Sequence, residues 1–313
     1  MAKVAFLFPG QGAQYPGMGR ALAEAFPVAG HILEQASEAV GWDLRSLCFE
    51  GPEAELVKTE YAQPAILAVS LAAAAVVREA GIEPEGAAGL SLGEYGALTV
   101  AGAMPFPEVI RIVHLRGRFM QEAVPLGVGA MAAVIGLDRE VVEAICLQVK
   151  DHEVVQPANY NCPGQIVIAG HTQAVERAMR LCQEAGARRV TRLAVSAPFH
   201  TPLLAPASAR LAEVLGRITI GNLRIPVASN VTGDVIDDPR TIADLLVRQV
   251  ASPVRFEDNV RALGRLGFDT FVEVGPGKSL SGFVRRILPG ARTFNVEDTA
   301  SLEATLESWR GVC

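Results

Sequence analysis

Residues 89–93 read Gly-Leu-Ser-Leu-Gly, and this Gly-x-Ser-x-Gly pattern constrains the fold more than any other stretch. It fits a nucleophile elbow, a sharp strand-to-helix turn that lifts a serine hydroxyl above a sheet. A β-carbon at Gly89 or Gly93 would crowd so tight a turn. The helix that follows is expected to begin at Ser91, so that its first free N–H groups can face an oxyanion on a bound acyl group. The flanks agree: 85–90 read as a short loop and an apolar strand end, 97–103 as a small-residue helix. Such a pentapeptide also arises in ordinary glycine-rich turns. The reading therefore depends on whether the chain supplies a base, an oxyanion donor and a substrate anchor.

The chain is long enough to hold them. Its 313 residues allow one large or two modest domains, and with 50% hydrophobic but only 6% aromatic residues the core must be built from Ala, Val, Leu and Ile. Net charge is −6 and Lys and Arg never run beyond two in a row. That argues against broad nucleic-acid binding but leaves room for a local basic patch that docks an acidic partner. Five scattered cysteines (Cys48, Cys146, Cys162, Cys182, Cys313) with no Cys-x-x-Cys fit a reducing cytoplasm, without a disulfide framework or a zinc site. Met1-Ala2-Lys3 runs straight into a strand, so no signal peptide is expected. The longest apolar run, 65–77, has 13 residues including Ser70, too short to span a bilayer.

Val4 to Phe8 reads as a buried strand ending in Pro9-Gly10-Gln11-Gly12-Ala13-Gln14. A dinucleotide fingerprint fails there because Tyr15 stands where the third glycine belongs, and a Walker loop fails for want of Lys-Ser or Lys-Thr. What remains is either an anion-facing turn or an ordinary βα turn. Helices are expected over 22–40 and 62–80, with Gly51-Pro52 and Gln63-Pro64 as nearby breaks. In a helix over 106–121, Val109, Ile112, Val113, Arg116, Phe119 and Met120 form one apolar stripe. A guanidinium on that stripe must meet an anion. Arg116 is thus either a structural ion pair, perhaps with Glu94, or a snorkelling side chain, or a two-pronged clamp for a substrate carboxylate.

From Gly129 to Val195 the rhythm becomes βαββαβ, the ferredoxin-like order, which suggests a small domain inserted into a larger α/β one. His200 follows in the Pro-flanked loop Ala197-Pro198-Phe199-His200-Thr201-Pro202. It lies after the serine, as the base does in α/β serine enzymes. His31, His114, His152 and His171 lie in helical or charged surroundings. Further helices are expected over 203–215, 241–250 (closing at Gln249) and 257–266, with strands over 225–229 and 270–274. Gly277-Lys278-Ser279 imitates a P-loop, but its first glycine would fall at Val272, so nucleotide binding is rejected.

Six stretches taken together resemble one family: Phe8-Pro9-Gly10-Gln11-Gly12, Gly89-Leu90-Ser91-Leu92-Gly93-Glu94, His114-Leu115-Arg116-Gly117, Asn159-Tyr160-Asn161-Cys162-Pro163-Gly164-Gln165, Ala197-Pro198-Phe199-His200 and Glu273-Val274-Gly275-Pro276-Gly277. Over nearly its whole length the chain is similar to the malonyl-CoA:acyl carrier protein transacylases of bacterial fatty acid synthesis. The resemblance implies an α/β-hydrolase-like domain with a parallel sheet and nucleophile elbow (1–126 and 197–313) and an inserted ferredoxin-like subdomain (127–196). It implies Ser91 as nucleophile and His200 as base, the imidazole oriented by the Gln249 carbonyl. Backbone N–H groups of Gln11 and Leu92 would form the oxyanion hole, Arg116 would bind the malonyl carboxylate, and Phe199 would disfavour an α-methyl group. Asn159, Asn161, Gln165, Arg188 and Arg189 are candidates for contacts to CoA or pantetheine. Arg188, Arg189, Lys278, Arg285 and Arg286 offer a basic face to an acidic holo acyl carrier protein.

Two positions depart from the family pattern: Leu90 stands where His is frequent before the serine, and Phe256 where Trp is common. A cytoplasmic monomer is expected, with no resident cofactor or metal and no nucleic-acid or membrane partner. The competing readings are a serine thioesterase or hydrolase, a trans-acting malonyl transferase for a polyketide synthase, and a non-catalytic carrier-binding module.

Overall fold

Val4–Phe8 forms strand β1, five consecutive buried residues, and the elements carrying the site are placed around it. The computed structural model describes residues 2–125, 127–149, 152–195 and 197–309. After β1 come helices α1 (Arg20–Ala25), α2 (Pro27–Val40), α3 (Leu44–Glu50), α4 (Glu53–Leu56) and α5 (Thr59–Glu79), then β2 (Gly86–Gly89), α6 (Gly93–Val100) and α7 (Phe106–Glu122). A second group follows: β3 (Gly129–Ile135), α8 (Arg139–Val149), β4 (Val155–Cys162), β5 (Gln165–His171), α9 (Thr172–Glu184) and β6 (Arg189–Arg192). The chain then returns through α10 (Ala205–Leu215), α11 (Ile242–Ala251), α12 (Phe256–Arg265), β7 (Thr270–Val274), α13 (Ser279–Ile287), β8 (Arg292–Val296) and α14 (Thr299–Trp309).

The first sheet has the order β2-β1-β7-β8 and is parallel throughout. Its central strands β1 and β7 are buried along their whole length, as expected where helices cover both faces. The second sheet, β4-β5-β3-β6, is antiparallel, and with α8 and α9 it makes the ferredoxin-like layer. Its side chains divide by the two-residue strand period. Ala130, Ala132 and Val134 of β3 and Ile166 and Ile168 of β5 pack in the cluster with α8 and α9. Met131, Val167 and Ala169 belong to the cluster of the larger part.

Three sequence expectations shift. The helix expected over 22–40 is two, because Pro27 cannot donate within a helix and instead opens α2 at its first position. Conversely Pro64 breaks nothing. It lies inside α5, and the Glu60 carbonyl four residues earlier accepts from His114 Nδ1 at 3.1 Å. The strand expected over 225–229 is reduced to two isolated bridges, Val227 with Ala87 and Ala228 with Val235, since Pro226 has no N–H to extend a ladder. Helix α5 is long and apolar enough to cross a membrane (mean hydropathy 1.5), but 83% of that window is buried within the fold.

Candidate active site

The elbow forms where β2 ends against β1. A β-carbon at Gly89 would lie 1.9 Å from the carbonyl carbon of Gly93, and one at Gly93 would lie 2.0 Å from Phe8 O. Only glycine fits at either position. Helix α6 opens at Gly93 rather than at Ser91, which stands outside it at φ 55°. His200 has φ 62°, and among the described residues these are the two non-glycine positions with positive φ. Strain of this kind persists where the surroundings over-determine it, commonly at reactive sites. Asn230 supplies much of that restraint here. Its Oδ1 accepts from Ser91 N–H at 2.7 Å and its Nδ2 donates to Gly89 O at 2.8 Å.

Ser91 Oγ lies 2.8 Å from His200 Nε2, and His200 Nδ1 lies 2.9 Å from the carbonyl oxygen of Gln249 in α11. A carbonyl can only accept, so the proton sits on Nδ1 and the Nε2 lone pair faces the serine hydroxyl. Burial, reinforced by the nearby Arg116 cation, lowers His200 to about 4. The imidazole is therefore neutral, as a base must be.

The whole α7 stripe is buried, Arg116 included, at 1% exposure. The ion pair with Glu94 that the spacing allowed does not form. Arg116 Nη1 donates to Gln63 Oε1 at 2.7 Å, and Nη2 donates to Gln249 Oε1 at 2.9 Å and to Ser91 Oγ at 3.2 Å. Its Nε has no partner. A fully buried guanidinium held by neutral acceptors, 3.2 Å from the Ser91 hydroxyl, can take an anion as a further partner. Glu94 instead accepts from Gln249 Nε2 at 2.6 Å and from Asn230 N–H at 3.1 Å. Burial pushes its carboxyl up to about 7, those hydrogen bonds and Arg116 pulling the other way.

A cleft of about 1110 Å³ opens between the two sheets, with Ser91, Arg116 and His200 in its wall. Gln11 and Leu92 line it beside Ser91, and among the described residues neither backbone N–H donates to an acceptor. Phe199, Asn159, Asn161 and Gln165 line it too. Arg188 and Arg189 do not: they lie at the start of β6, and the chain reaches the cleft only at Leu193, Ala194 and Val195. Arg286 bonds to Pro163 O and Gln165 Oε1, tying α13 to the small sheet. Sequence reasoning passed over Asn230, Gln63 and the side chain of Gln249, whose bonds to Ser91 and Arg116 span 53 or more residues. The one signal was a run of polar residues ending an apolar segment at Ser229-Asn230. No group of three or more His, Cys, Asp or Glu among the described residues is arranged to hold a metal ion.

An elbow serine facing a neutral imidazole over a parallel sheet is the apparatus of acyl transfer through a serine ester. The chain belongs to the acyl transferase domain family, whose model matches residues 5–300. Within that family it stands with the malonyl CoA-acyl carrier protein transacylases. The protein of that name from Bacillus subtilis (strain 168) is 45% identical over 309 residues, covering 98% of each chain. The crystal structure of the Clostridium perfringens transacylase superposes with a TM-score of 0.96 at 44% identity, over 99% of this chain and 98% of that one. A malonyl-transacylase solved in complex with its type II PKS acyl-carrier protein gives a TM-score of 0.95 at 45% identity, over 98% of this chain and 100% of that one.

Proposed function

We propose that this enzyme moves the malonyl group of malonyl-CoA to the phosphopantetheine thiol of an acyl carrier protein, supplying fatty acid elongation. The observation that carries the reading is Arg116, a buried guanidinium without a carboxylate partner, 3.2 Å from the nucleophilic oxygen. A carboxylate bound there sets a malonyl thioester beside Ser91 and leaves acetyl groups without an anchor.

His200 Nε2 takes the Ser91 proton as Oγ attacks the thioester carbonyl. The developing oxyanion is met by the N–H groups of Gln11 and Leu92, each contributing about 3 kcal/mol in comparable sites. The C–S bond breaks, His200 returns the proton to the CoA thiolate, and a malonyl ester remains on Ser91. The carrier thiol then enters the cleft, gives its proton to His200 and attacks the ester carbonyl; the C–Oγ bond breaks, and His200 returns the proton to Ser91 Oγ as the malonyl thioester leaves. No resident cofactor is required, because the pantetheine arm belongs to the partner. The four described cysteines are free and buried, which supports a reducing cytoplasm, and we expect a monomer.

Intact-protein mass spectrometry tests the reading. Malonyl-CoA should leave a malonyl adduct that is absent in Ser91→Ala, weak in Arg116→Ala and discharged by holo carrier protein. Free malonate without an adduct would mean a hydrolase, and neither product would mean a carrier-binding module. Similarity to a transacylase bound to a polyketide carrier makes that carrier class the second acceptor to try, and comparing discharge rates onto the two carriers separates them.

A further inference from the structure

Two opposite charges lie buried behind Ser91, Arg116 on α7 and Glu94 on α6, exposed by 1% and 0%. The side-chain amide of Gln249 stands between them. Its Nε2 donates to Glu94 Oε2 at 2.6 Å, and its Oε1 accepts from Arg116 Nη2 at 2.9 Å. A carboxylate on one side thus fixes which end of the amide faces the guanidinium on the other. Left over are Glu94 Oε1 and Arg116 Nε, both buried and without a partner. The other groups around Glu94 are Ser229 and Asn230 from the 229–231 loop and Tyr95 on its own helix, whose hydroxyl burial pushes up to about 12. His200 is the remaining titratable group that feels the Arg116 charge.

The empty pocket therefore balances one cation with one anion. A malonyl carboxylate on Arg116, the reading proposed above and the premise of this inference, brings a second anion into the same water-poor volume. Two anions cannot share one buried cation without cost, and a proton on one of them relieves it. Glu94 can accept that proton without losing its place. The Gln249 amide and the Asn230 N–H both donate to Oε2, which as the carbonyl oxygen of a neutral acid still accepts from them. We propose that Glu94 is the counter-ion and positioning residue of Arg116 while the pocket is empty, and that it takes up a proton from solvent as the malonyl carboxylate arrives. Burial already holds its carboxyl near 7. Binding then favours the protonated form, so affinity for malonyl-CoA falls as pH rises above neutrality, towards a limit of about tenfold per pH unit. Acetyl-CoA, with no carboxylate, draws no proton.

Calorimetry on the full chain carrying Ser91→Ala, which binds but cannot be acylated, reads the proton directly. Malonyl-CoA and acetyl-CoA are titrated above neutral pH in buffers of different ionisation enthalpy. The expected result is an uptake of about one proton with malonyl-CoA and none with acetyl-CoA. Adding Glu94→Gln, whose amide oxygen still accepts from Gln249 and Asn230, should abolish the uptake and flatten the pH dependence. No uptake in the Glu94 protein, or uptake that persists in Glu94→Gln, overturns the inference. Should Glu94→Gln not fold, the infrared carbonyl band of a protonated carboxyl decides in the parent. Gained with malonyl-CoA and not with acetyl-CoA, it supports the proposal; its absence overturns it. Equal affinity for the two thioesters, with Arg116→Ala affecting both alike, would instead remove the premise about Arg116 and the inference with it. Malonyl-selective binding without a proton removes the inference alone.

Discussion

The base we propose, His200, is sealed beside a guanidinium, and its role and its burial are connected. Burial and the Arg116 charge lower it to about 4, so the imidazole is a weak base with its lone pair permanently available. The acid limb of kcat/KM for malonyl-CoA should therefore fall well below the ordinary histidine value of about 6.5. A limb near that value would mean a wetter imidazole than the geometry shows. The same shift acts on stability. Between about 4 and the ordinary value the unfolded chain binds the extra proton, so this contribution is present above that window and is lost as pH falls through it. Phe199, buried in the cleft wall next to His200, is expected to bear on acyl selectivity. Trimming it to Ser should relax discrimination against methylmalonyl-CoA by about 1–3 kcal/mol, read as the ratio of the two kcat/KM values.

At the scale of elements, the elbow depends on backbone contacts that cannot yield. Gly89→Ala and Gly93→Ala should each destabilise the fold by roughly 3 kcal/mol or more, because the added methyl meets backbone and not a side-chain end. Asn230→Ala should cost about 1–3 kcal/mol by stranding Ser91 N–H or Gly89 O, and should lower kcat by loosening the turn. Denaturant midpoints and kcat, measured together, check both. The glycines were legible because a tight turn dictates glycine whatever surrounds it, and the α7 stripe because a helix repeats its face. Asn230 and the Gln249 amide were not, since their roles exist only once segments 139 and 133 residues apart meet. For the same reason Arg116 could be placed on a buried face but not given its partners. Strand β8 escaped notice because four of its five residues are only half-buried and its pattern is correspondingly weak.

For the whole molecule, the question is whether the inserted sheet moves independently of the parallel one, as glycines at 127 and 129 suggest. The contacts argue that it does not. Met131, Ala158, Val167 and Ala169 of the small sheet share one apolar cluster with Phe8 and Leu92 of the large part. Strand β4 is also bonded across the boundary: Tyr160 N–H donates to Val254 O and Val254 N–H to Ala158 O, both at 2.8 Å. Arg139 and Asp258 add an ion pair at 3.2 Å and Arg286 reaches Pro163 O. The small layer keeps its own cluster with α8 and α9, but these contacts tie it to the large part, so the chain should unfold in one calorimetric transition whose van't Hoff and calorimetric enthalpies agree, although chains of this length commonly do not. Val254→Pro, which removes the donor to Ala158 at a position buried in the large part, should split the transition in two. Two transitions in the unaltered protein would show that the shared cluster does not couple the sheets. The cleft would then have to be treated as a hinge that opens to admit each thiol.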